Sequence, residues 1–160
     1  MFARSIEREL TRLNFFEPNQ FGFRTGASTI QAIEKVVKEV RSSRKKKFAV
    51  MIALDFSGAF DSMSWNVIMR NAIRANLDLT YLKMMQSLLC DRKIMLENRT
   101  MNSQRGTPQG ERASPFLYRV GANSLLTNLN KLNGVRTTAF ADDTALIVRG
   151  DSEKELERNI

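Results

Sequence analysis

Two adjacent carboxylates, Asp142 and Asp143, lie between two short apolar runs, 138–141 and 145–148. Short β-prone runs on either side of polar residues predict a strand, a tight turn and a returning strand. Neighbouring like charges raise each other's electrostatic energy, which a bound cation relieves. Aspartate also favours turns for purely local reasons. Taken by itself, the pair therefore fits a metal site and an ordinary Asp-rich turn about equally well.

A third carboxylate, Asp55, directly follows the continuous apolar run 48–54. A run without polar alternation predicts a strand buried on both faces, so we expect it at the centre of a sheet. If this strand and the one around 138–148 share an antiparallel sheet, their ends can bring Asp55 close to Asp142 and Asp143. Because the chain has no histidine, three convergent carboxylates predict a site for a hard cation, Mg²⁺ or Mn²⁺.

The amino-acid composition limits which types of catalytic site and which types of binding partner fit the chain. The absence of histidine excludes a Ser-His-Asp triad and histidine-ligated metals. A net charge of +8 over 160 residues favours a polyanion, and nucleic acid over a membrane surface, because no stretch resembles an anchor. The single cysteine, Cys90, excludes an internal disulfide and fits a reducing compartment, and we expect it in the core.

Helical patterns surround the predicted strands. Residues 2–13 predict an amphipathic helix, and Ser28 with Gln31 forms a capping box at the start of a second helix. We expect that second helix to bury one apolar face, made of Ile30, Ile33, Val37 and Val40. The basic run 41–47 that ends it fits a solvated link or a phosphate contact equally well.

Later segments follow the same pattern. We expect Asp61 or Ser62 to cap a helix that begins near Trp65. Further helices are predicted over about 80–89, from Ser114 to about 130 and from 151, with an edge strand near 93–97. Gly121 in mid-helix indicates a close approach of another group.

Three carboxylates around hard cations are suited to phosphoryl transfer. Two divalent ions about 3.5–4 Å apart can activate an attacking 3′-hydroxyl and stabilise a leaving pyrophosphate. Such a reaction needs little beyond positioning and neutralisation of charge. The basic charge of the chain supports a nucleic-acid substrate, but these residues alone do not separate a polymerase from a nuclease.

Four short motifs in a fixed order make the chain resemble a reverse transcriptase. They are Phe-Gly-Phe-Arg at 21–24 with Ser28-Thr29, Asp55 with Ala-Phe-Asp at 59–61, Pro-Gln-Gly at 108–110, and Phe-Ala-Asp-Asp at 140–143. The forms Gln-Phe-Gly-Phe-Arg and Phe-Ala-Asp-Asp resemble the non-LTR (LINE-type) retrotransposon branch. Each motif alone is weak, whereas four in this order, over roughly residues 15–150, are specific.

The resemblance implies an α+β fold: a polymerase palm-type antiparallel sheet packed against helices, as part of a right-hand polymerase. We expect a fingers remnant and connection at about 1–47, the palm at 48–150 and the start of a truncated helix at 151–160. The rest of the fingers, the thumb and an endonuclease domain are expected elsewhere on the full polypeptide. Glu111-Arg112-Ala113 after Pro-Gln-Gly departs from the Ser and apolar residues usual in the family.

The resemblance also implies roles for individual residues. Asp55, Asp142 and Asp143 are expected to be catalytic and to hold two Mg²⁺ or Mn²⁺ ions. Three residues are expected at the incoming nucleotide: Phe60, which stacks under the sugar and excludes a 2′-hydroxyl, Gln109 and Gly110. Arg24 and Arg105 are expected to contact the nucleic acid. Structural alternatives remain, since Phe60 fits a core, Gln109 a turn and Arg24 an ion pair.

The implied function is RNA-directed DNA polymerisation. The enzyme would transfer a nucleotide from a dNTP to the 3′-hydroxyl of a DNA primer on an RNA template, without a membrane partner. Synthesis in the cytoplasm and action in the nucleus are implied as well. A group II intron or retron-type reverse transcriptase shares the aspartates and is an alternative. A non-catalytic palm that acts as an RNA-binding scaffold is another, although loss of an aspartate would mark it and all three are present.

Overall fold

The computed structural model describes residues 2–43, 48–90, 92–97, 99–107 and 113–160. In those ranges the helices are α1 (Phe2–Arg12), α2 (Thr29–Ser43), α3 (Trp65–Arg74), α4 (Leu79–Leu89), α5 (Ser114–Lys131) and α6 (Glu153–Asn159). The strands are β1 (Phe48–Leu54), β2 (Lys93–Leu96), β3 (Arg99–Asn102), β4 (Val135–Phe140) and β5 (Asp143–Gly150). All named strand pairs are antiparallel, which confirms the α+β fold. None of these helices is long and apolar enough to cross a membrane.

The chain divides into two compact units. Unit 1 comprises residues 1–16 and 58–123, and unit 2 comprises residues 17–57 and 124–160. Each unit therefore combines stretches that are distant in sequence. The expected division into a fingers remnant, a palm and a terminal helix follows other boundaries and stays a prediction.

Unit 1 is mainly helical, with the β2–β3 hairpin beside its helices. Its core combines apolar residues of several helices with Leu77, which lies between α3 and α4: Ile6, Leu10, Ile68, Ala72, Leu77, Met85, Leu89, Phe116, Leu117 and Val120. Asn71 within this core donates to the carbonyl oxygens of Val120 at 2.8 Å and Gly121 at 3.1 Å. The expected close approach at Gly121 is confirmed, because an added Cβ would lie 2.3 Å from the sulfur of Met63.

A buried cation fixes α1 against the rest of unit 1. Arg119 on α5 is only 4% exposed, donates to the carboxylate of Glu7 on α1, and lies 4.1 Å from the ring centroid of Phe16. An ion pair and a cation–π contact together compensate the desolvation of the guanidinium.

Unit 2 contains the three-stranded sheet, in the order β1-β5-β4. The bounds expected for β1 are confirmed, but the expectation that β1 is the central strand is wrong. β5 lies between its hairpin partner β4 and β1, and most β1 side chains are exposed. An apolar run shows only that a strand can be buried, whereas its place in the sheet depends on which strands pair with its two edges.

One face of the sheet carries the core of unit 2. Val135, Leu146 and Val148 pack there with Leu156 of α6 and Leu129 of α5. Ser152 is the N-cap of α6, and its hydroxyl accepts from the Glu155 amide at 3.2 Å. The helix expected from residue 151 is thus confirmed.

α2 packs on β4 and β5. Its predicted capping box is confirmed, because the Ser28 amide donates to Gln31 Oε1 at 3.0 Å and the Gln31 amide donates to Ser28 Oγ at 3.2 Å. Its predicted buried face is wrong, since the exposed fractions of Ile30, Ile33, Val37 and Val40 are 67%, 63%, 40% and 45%. The buried positions, Ala32 and Ser43, lie roughly 120° around the helix from that stripe, given 3.6 residues per turn. Periodicity identifies residues on one face but not whether another element covers it.

Two single-residue expectations are also wrong. Cys90 is exposed rather than in the core; it is the C-cap of α4, where the chain leaves the helix. The N-cap of α3 is Ser64, without a side-chain cap bond. Asp61 and Ser62 instead belong to the turns that precede α3.

A half-buried ion network attaches α2 to β5. Arg149 donates to the Glu39 carboxylate at 2.5 Å, the Glu39 carbonyl at 2.8 Å and Ser42 Oγ at 2.9 Å. Lys35 lies 3.0 Å from the same carboxylate. Burial by itself would raise the pKa of Glu39, but the hydrogen bonds from Lys35 and Arg149 outweigh it, so the pKa is lowered.

We expect Glu39→Gln to lower the free energy of unfolding by about 1–2 kcal/mol near neutral pH, because it removes a charge-assisted hydrogen bond. The pKa of Glu39 in the folded state is lowered from an unfolded value of about 4.3. Ionised Glu39 therefore stabilises the fold above that value, and this contribution is lost as the pH falls through the folded-state pKa. The unfolding free energies of wild type and Glu39→Gln, measured in urea, should converge as the pH falls below the folded-state pKa of Glu39.

The matched control is Glu34→Gln, which neutralises an exposed carboxylate on the same helix. We expect it to change the unfolding free energy little at either pH. A Glu39→Gln deficit that persists unchanged in acid would contradict the linkage.

Candidate active site

The aspartate turn joins β4 to β5. Phe140 pairs with Asp143 across the hairpin, which leaves Ala141 and Asp142 as the two turn residues. Ala141 has φ 58°, whereas Asp142 is not among the described residues with positive φ. A positive φ at the first residue of a two-residue hairpin turn is usually adopted by glycine. Alanine there carries strain of about 1–2 kcal/mol, so the turn depends on its surroundings.

Asp55 and Asp143 lie at the same groove. Leu54 pairs with Thr144, and the same antiparallel register continued by one residue sets Asp55 opposite Asp143. Opposite residues of an antiparallel pair project to the same face of a sheet. Both line a cavity of ≈ 330 Å³, whose other wall is the Ala32–Val37 side of α2.

The chemistry of these carboxylates suits a hard cation. Asp55 and Asp143 are exposed and Asp142 is half-buried. No hydrogen bond or ion pair from another described residue reaches their side chains; the one contact at Asp142 is from Thr144 Oγ1 to its carbonyl, at 3.5 Å. An oxygen-only donor set of this kind fits Mg²⁺ or Mn²⁺.

A complete metal centre is not assembled within the described residues. They contain no group of three His, Cys, Asp or Glu side chains close enough to hold a metal ion. The structure brings Asp55 and Asp143 to one groove and places Asp142 in the adjoining turn. The three-carboxylate site stays a prediction.

The Gln-Phe-Gly segment runs beside the aspartate turn. The Phe21 amide donates to the Ala139 carbonyl at 2.8 Å, and the Ala139 amide donates to the Asn19 carbonyl at 2.9 Å. Gly22 approaches Ala141 so closely that an added Cβ would lie 2.0 Å from the Ala141 nitrogen. Only a residue without a side chain fits at that position.

In unit 1, a backbone hydrogen bond and a ring contact hold the loop that carries Phe60. The chain turns tightly at Gly58, which has φ 59° and whose carbonyl accepts from the Ser62 amide at 2.8 Å. The half-buried Phe60 ring stacks on Tyr118 of α5, with centroids 5.0 Å apart and planes at 26°. Tyr118 itself is 4% exposed, so Phe60 rests on a fixed support.

Backbone contacts join this loop to the segment 105–107. The Thr107 amide donates to the Phe60 carbonyl at 2.8 Å, and the Gly106 amide donates to the Met63 carbonyl at 2.7 Å. The indole of Trp65 donates to the Gly106 carbonyl at 2.7 Å. The Pro-Gln-Gly motif begins at the next residue, and its predicted nucleotide contacts, Gln109 and Gly110, lie outside the described residues, as do Glu111 and Arg112.

The two arginines predicted to contact nucleic acid differ in their surroundings. Arg24 donates to the Pro18 carbonyl at 3.2 Å and so closes its own loop. Arg105 is exposed, and its carbonyl accepts from Ser103 Oγ at 2.8 Å. Contacts of either side chain to a template stay predictions, and the basic residues 44–47 lie outside the described ranges.

Sequence reasoning missed two supporting residues. Gln20 is 4% exposed although it is polar, and Tyr118 stacks on Phe60 from 58 positions away in the chain (118 − 60). The pattern offered a weak signal for Gln20, a polar residue two positions before a glycine. It offered none for Tyr118, whose contact depends on the packing of α5.

Comparisons with known proteins agree in the kind of protein they indicate. Residues 1–160 match the family model described as reverse transcriptase (RNA-dependent DNA polymerase). The chain is 31% identical, over 88% of its length, to a Bradysia coprophila protein named Retrovirus-related Pol polyprotein from type-1 retrotransposable element R1. It is 30% identical, over 86% of its length, to the Drosophila melanogaster protein named Putative 115 kDa protein in type-1 retrotransposable element R1DM.

The chain spans 14% and 13% of the lengths of these two relatives. Among solved structures, a chain of a partial Cas6-RT-Cas1–Cas2 complex aligns with 83% of this chain and 23% of its own length. That alignment has 20% identity and a TM-score of 0.39.

We expect Gly22→Ala to destabilise the hairpin, because the new methyl group would overlap the Ala141 backbone, 2.0 Å away. Overpacking against backbone predicts a loss of about 2–3 kcal/mol in unfolding free energy. Gly26→Ala is the control, since its Cβ meets no atom within 4 Å and suffers only from φ +78°, a cost of about 1 kcal/mol. Equal losses in urea unfolding of the two variants would contradict the close approach.

Proposed function

The chain belongs to the reverse transcriptase family, and from that premise we propose that it is the catalytic palm region of an RNA-directed DNA polymerase of a non-LTR retrotransposable element. The pairing of β1 with β5 carries the proposal, because it sets Asp55 and Asp143 at one groove. Two relatives are named as proteins of type-1 retrotransposable elements, which supports the assignment to an element of this kind. The active polymerase contains further regions on the same polypeptide, in keeping with the much greater length of those relatives.

We assign the metal-holding role to Asp55, Asp142 and Asp143. When bound, two divalent ions stabilise charge on the attacking and leaving oxygens of a nucleotidyl transfer. The chain contributes the rigid ends of paired strands, which hold the carboxylates without drawing them into other ion pairs among the described residues.

We assign sugar selection to Phe60. A ring held by Tyr118 and by the backbone bond from Thr107 cannot easily yield to a bulkier sugar. A 2′-hydroxyl would then meet a clash without a compensating polar partner, and repulsion of this kind is an effective source of specificity. Gln109 and Gly110 complete the proposed nucleotide contacts.

The proposed partners are an RNA template, a DNA primer and dNTPs. A net charge of +8 favours binding to phosphate backbones, with an affinity that falls as salt rises. Arg24 and Arg105 are the proposed contacts within the described residues. We also propose that the polypeptide is synthesised in the cytoplasm and polymerises DNA in the nucleus.

In a polypeptide that includes this chain and its flanking polymerase regions, Asp55→Asn or Asp142→Asn should reduce primer extension by at least about 100-fold. Each substitution removes a negative ligand that no histidine can replace. Asp151→Asn, which neutralises an exposed aspartate beyond β5, is the matched control and should extend primers normally. Near-normal extension by either active-site variant in Mg²⁺ would refute the assignment of these aspartates. A wild-type polypeptide that binds RNA but extends no primer would instead favour a non-catalytic RNA-binding palm.

Phe60→Val should admit ribonucleotides, because the smaller side chain leaves room for a 2′-hydroxyl. We expect the ratio of deoxy- to ribonucleotide incorporation to fall by about 10-fold or more, which corresponds to a loss of roughly 1.4 kcal/mol in discrimination. Phe60→Tyr keeps the ring and should keep the ratio. Matched single-nucleotide incorporation assays measure it, and an unchanged ratio in Phe60→Val would return Phe60 to a purely structural role.

A further inference from the structure

Gln20 is a buried polar residue that the proposed chemistry leaves unexplained. Its side chain is inaccessible, with 4% exposure for the residue as a whole. A buried amide is costly unless its polar atoms are hydrogen-bonded. Gln20 uses both ends: Nε2 donates to the Ala141 carbonyl at 3.1 Å, and Oε1 accepts from the Gly22 amide at 2.9 Å.

The Ala141 carbonyl belongs to the peptide bond that leads into Asp142. Because a peptide bond is planar, fixing that oxygen fixes the direction of the Asp142 amide as well. The first turn residue is an alanine with φ 58°, a conformation that is stable only when the surroundings hold it. Gln20 supplies a hydrogen bond at the point where the strain is located.

Backbone contacts make the position of Gln20 precise. Gln20 forms a parallel bridge with Ala139, flanked by the bonds that join Phe21 and Asn19 to the same residue. Gly22 then packs directly on the Ala141 backbone. The segment 19–22 therefore follows β4 to its end and places the amide beside the turn.

We propose that Gln20 is the positioning residue of the aspartate turn. Its amide holds the Ala141–Asp142 peptide in the one orientation that directs Asp142 and Asp143 toward a divalent cation. This inference rests on the proposed function and extends it to a residue that contacts neither the metal nor the substrate.

The test compares Gln20→Met with Gln86→Met in primer extension by the polypeptide that includes this chain. Met has nearly the length of Gln but makes no comparable hydrogen bonds, and Gln86 is an exposed residue of α4. With nucleotides saturating, we expect the Mg²⁺ concentration for half-maximal extension to rise about 10-fold in Gln20→Met, the range seen when residues that orient metal ligands are lost. The Gln86 control should keep the wild-type value.

Thermal unfolding, measured in parallel, separates positioning from folding. A merely structural role would lower the unfolding temperature and leave the Mg²⁺ dependence of the folded enzyme unchanged. Gln20→Glu is the second variant, since it keeps the size and the acceptor for Gly22 but lacks the donor for Ala141, and it should show the same shift. If neither variant folds, Gln20 is a folding residue and the inference is wrong.

Primer extension by Asp55→Asn, measured in the same assay, shows whether the assignment of the aspartates has failed or only the inference about Gln20. An active Asp55→Asn enzyme overturns the proposed metal-holding role of the aspartates and this inference with it. An inactive Asp55→Asn enzyme, combined with a normal Mg²⁺ dependence of both Gln20 variants, overturns this inference alone.

Discussion

The antiparallel register of β1 on β5 is the constraint on which the candidate site depends. Because side chains alternate between faces, a slip of one residue would turn Asp55 away from Asp143 and expose the core. Apolar contacts oppose such a slip, since Ile52 and Leu54 of β1 pack against the buried cluster that contains Leu146 and Val148 of β5. The two-residue turn that joins β4 to β5 fixes the register between these two strands. Hydrophobic burial on one face thereby aligns carboxylates on the other.

Charges on the carboxylate-bearing face are separated along the sheet. Arg149, at the end of β5 remote from the turn, is paired with Glu39 of α2. Among the described residues, no comparable cation pairs with the aspartates at the turn end. The Arg149–Glu39 ion pair attaches α2 to β5 without involving the aspartates at the turn.

The turn itself shows how strain is tolerated at a site of this kind. Alanine in a left-handed conformation would be unfavourable in isolation. Gln20 and Gly22 make it tolerable, one by a hydrogen bond to Ala141 and the other by allowing the backbones to touch. In unit 1, Tyr118 similarly supports Phe60. In both places, residues outside the expected site set the geometry of residues within it.

The amino-acid sequence by itself determined the local structure and which residues are candidates for catalysis. Apolar periodicity, the Ser28–Gln31 cap and the Asp-Asp turn are local patterns, and the structure confirms the elements that they predict. Tertiary structure alone decided that β1 lies at an edge, that the apolar stripe of α2 is exposed and that Gln20 reaches Ala141. The reason is physical: a pattern records which residues can share a face, whereas burial depends on which distant segment covers that face. Gln20 and Ala141 are separated by 121 positions, so only folding brings them together.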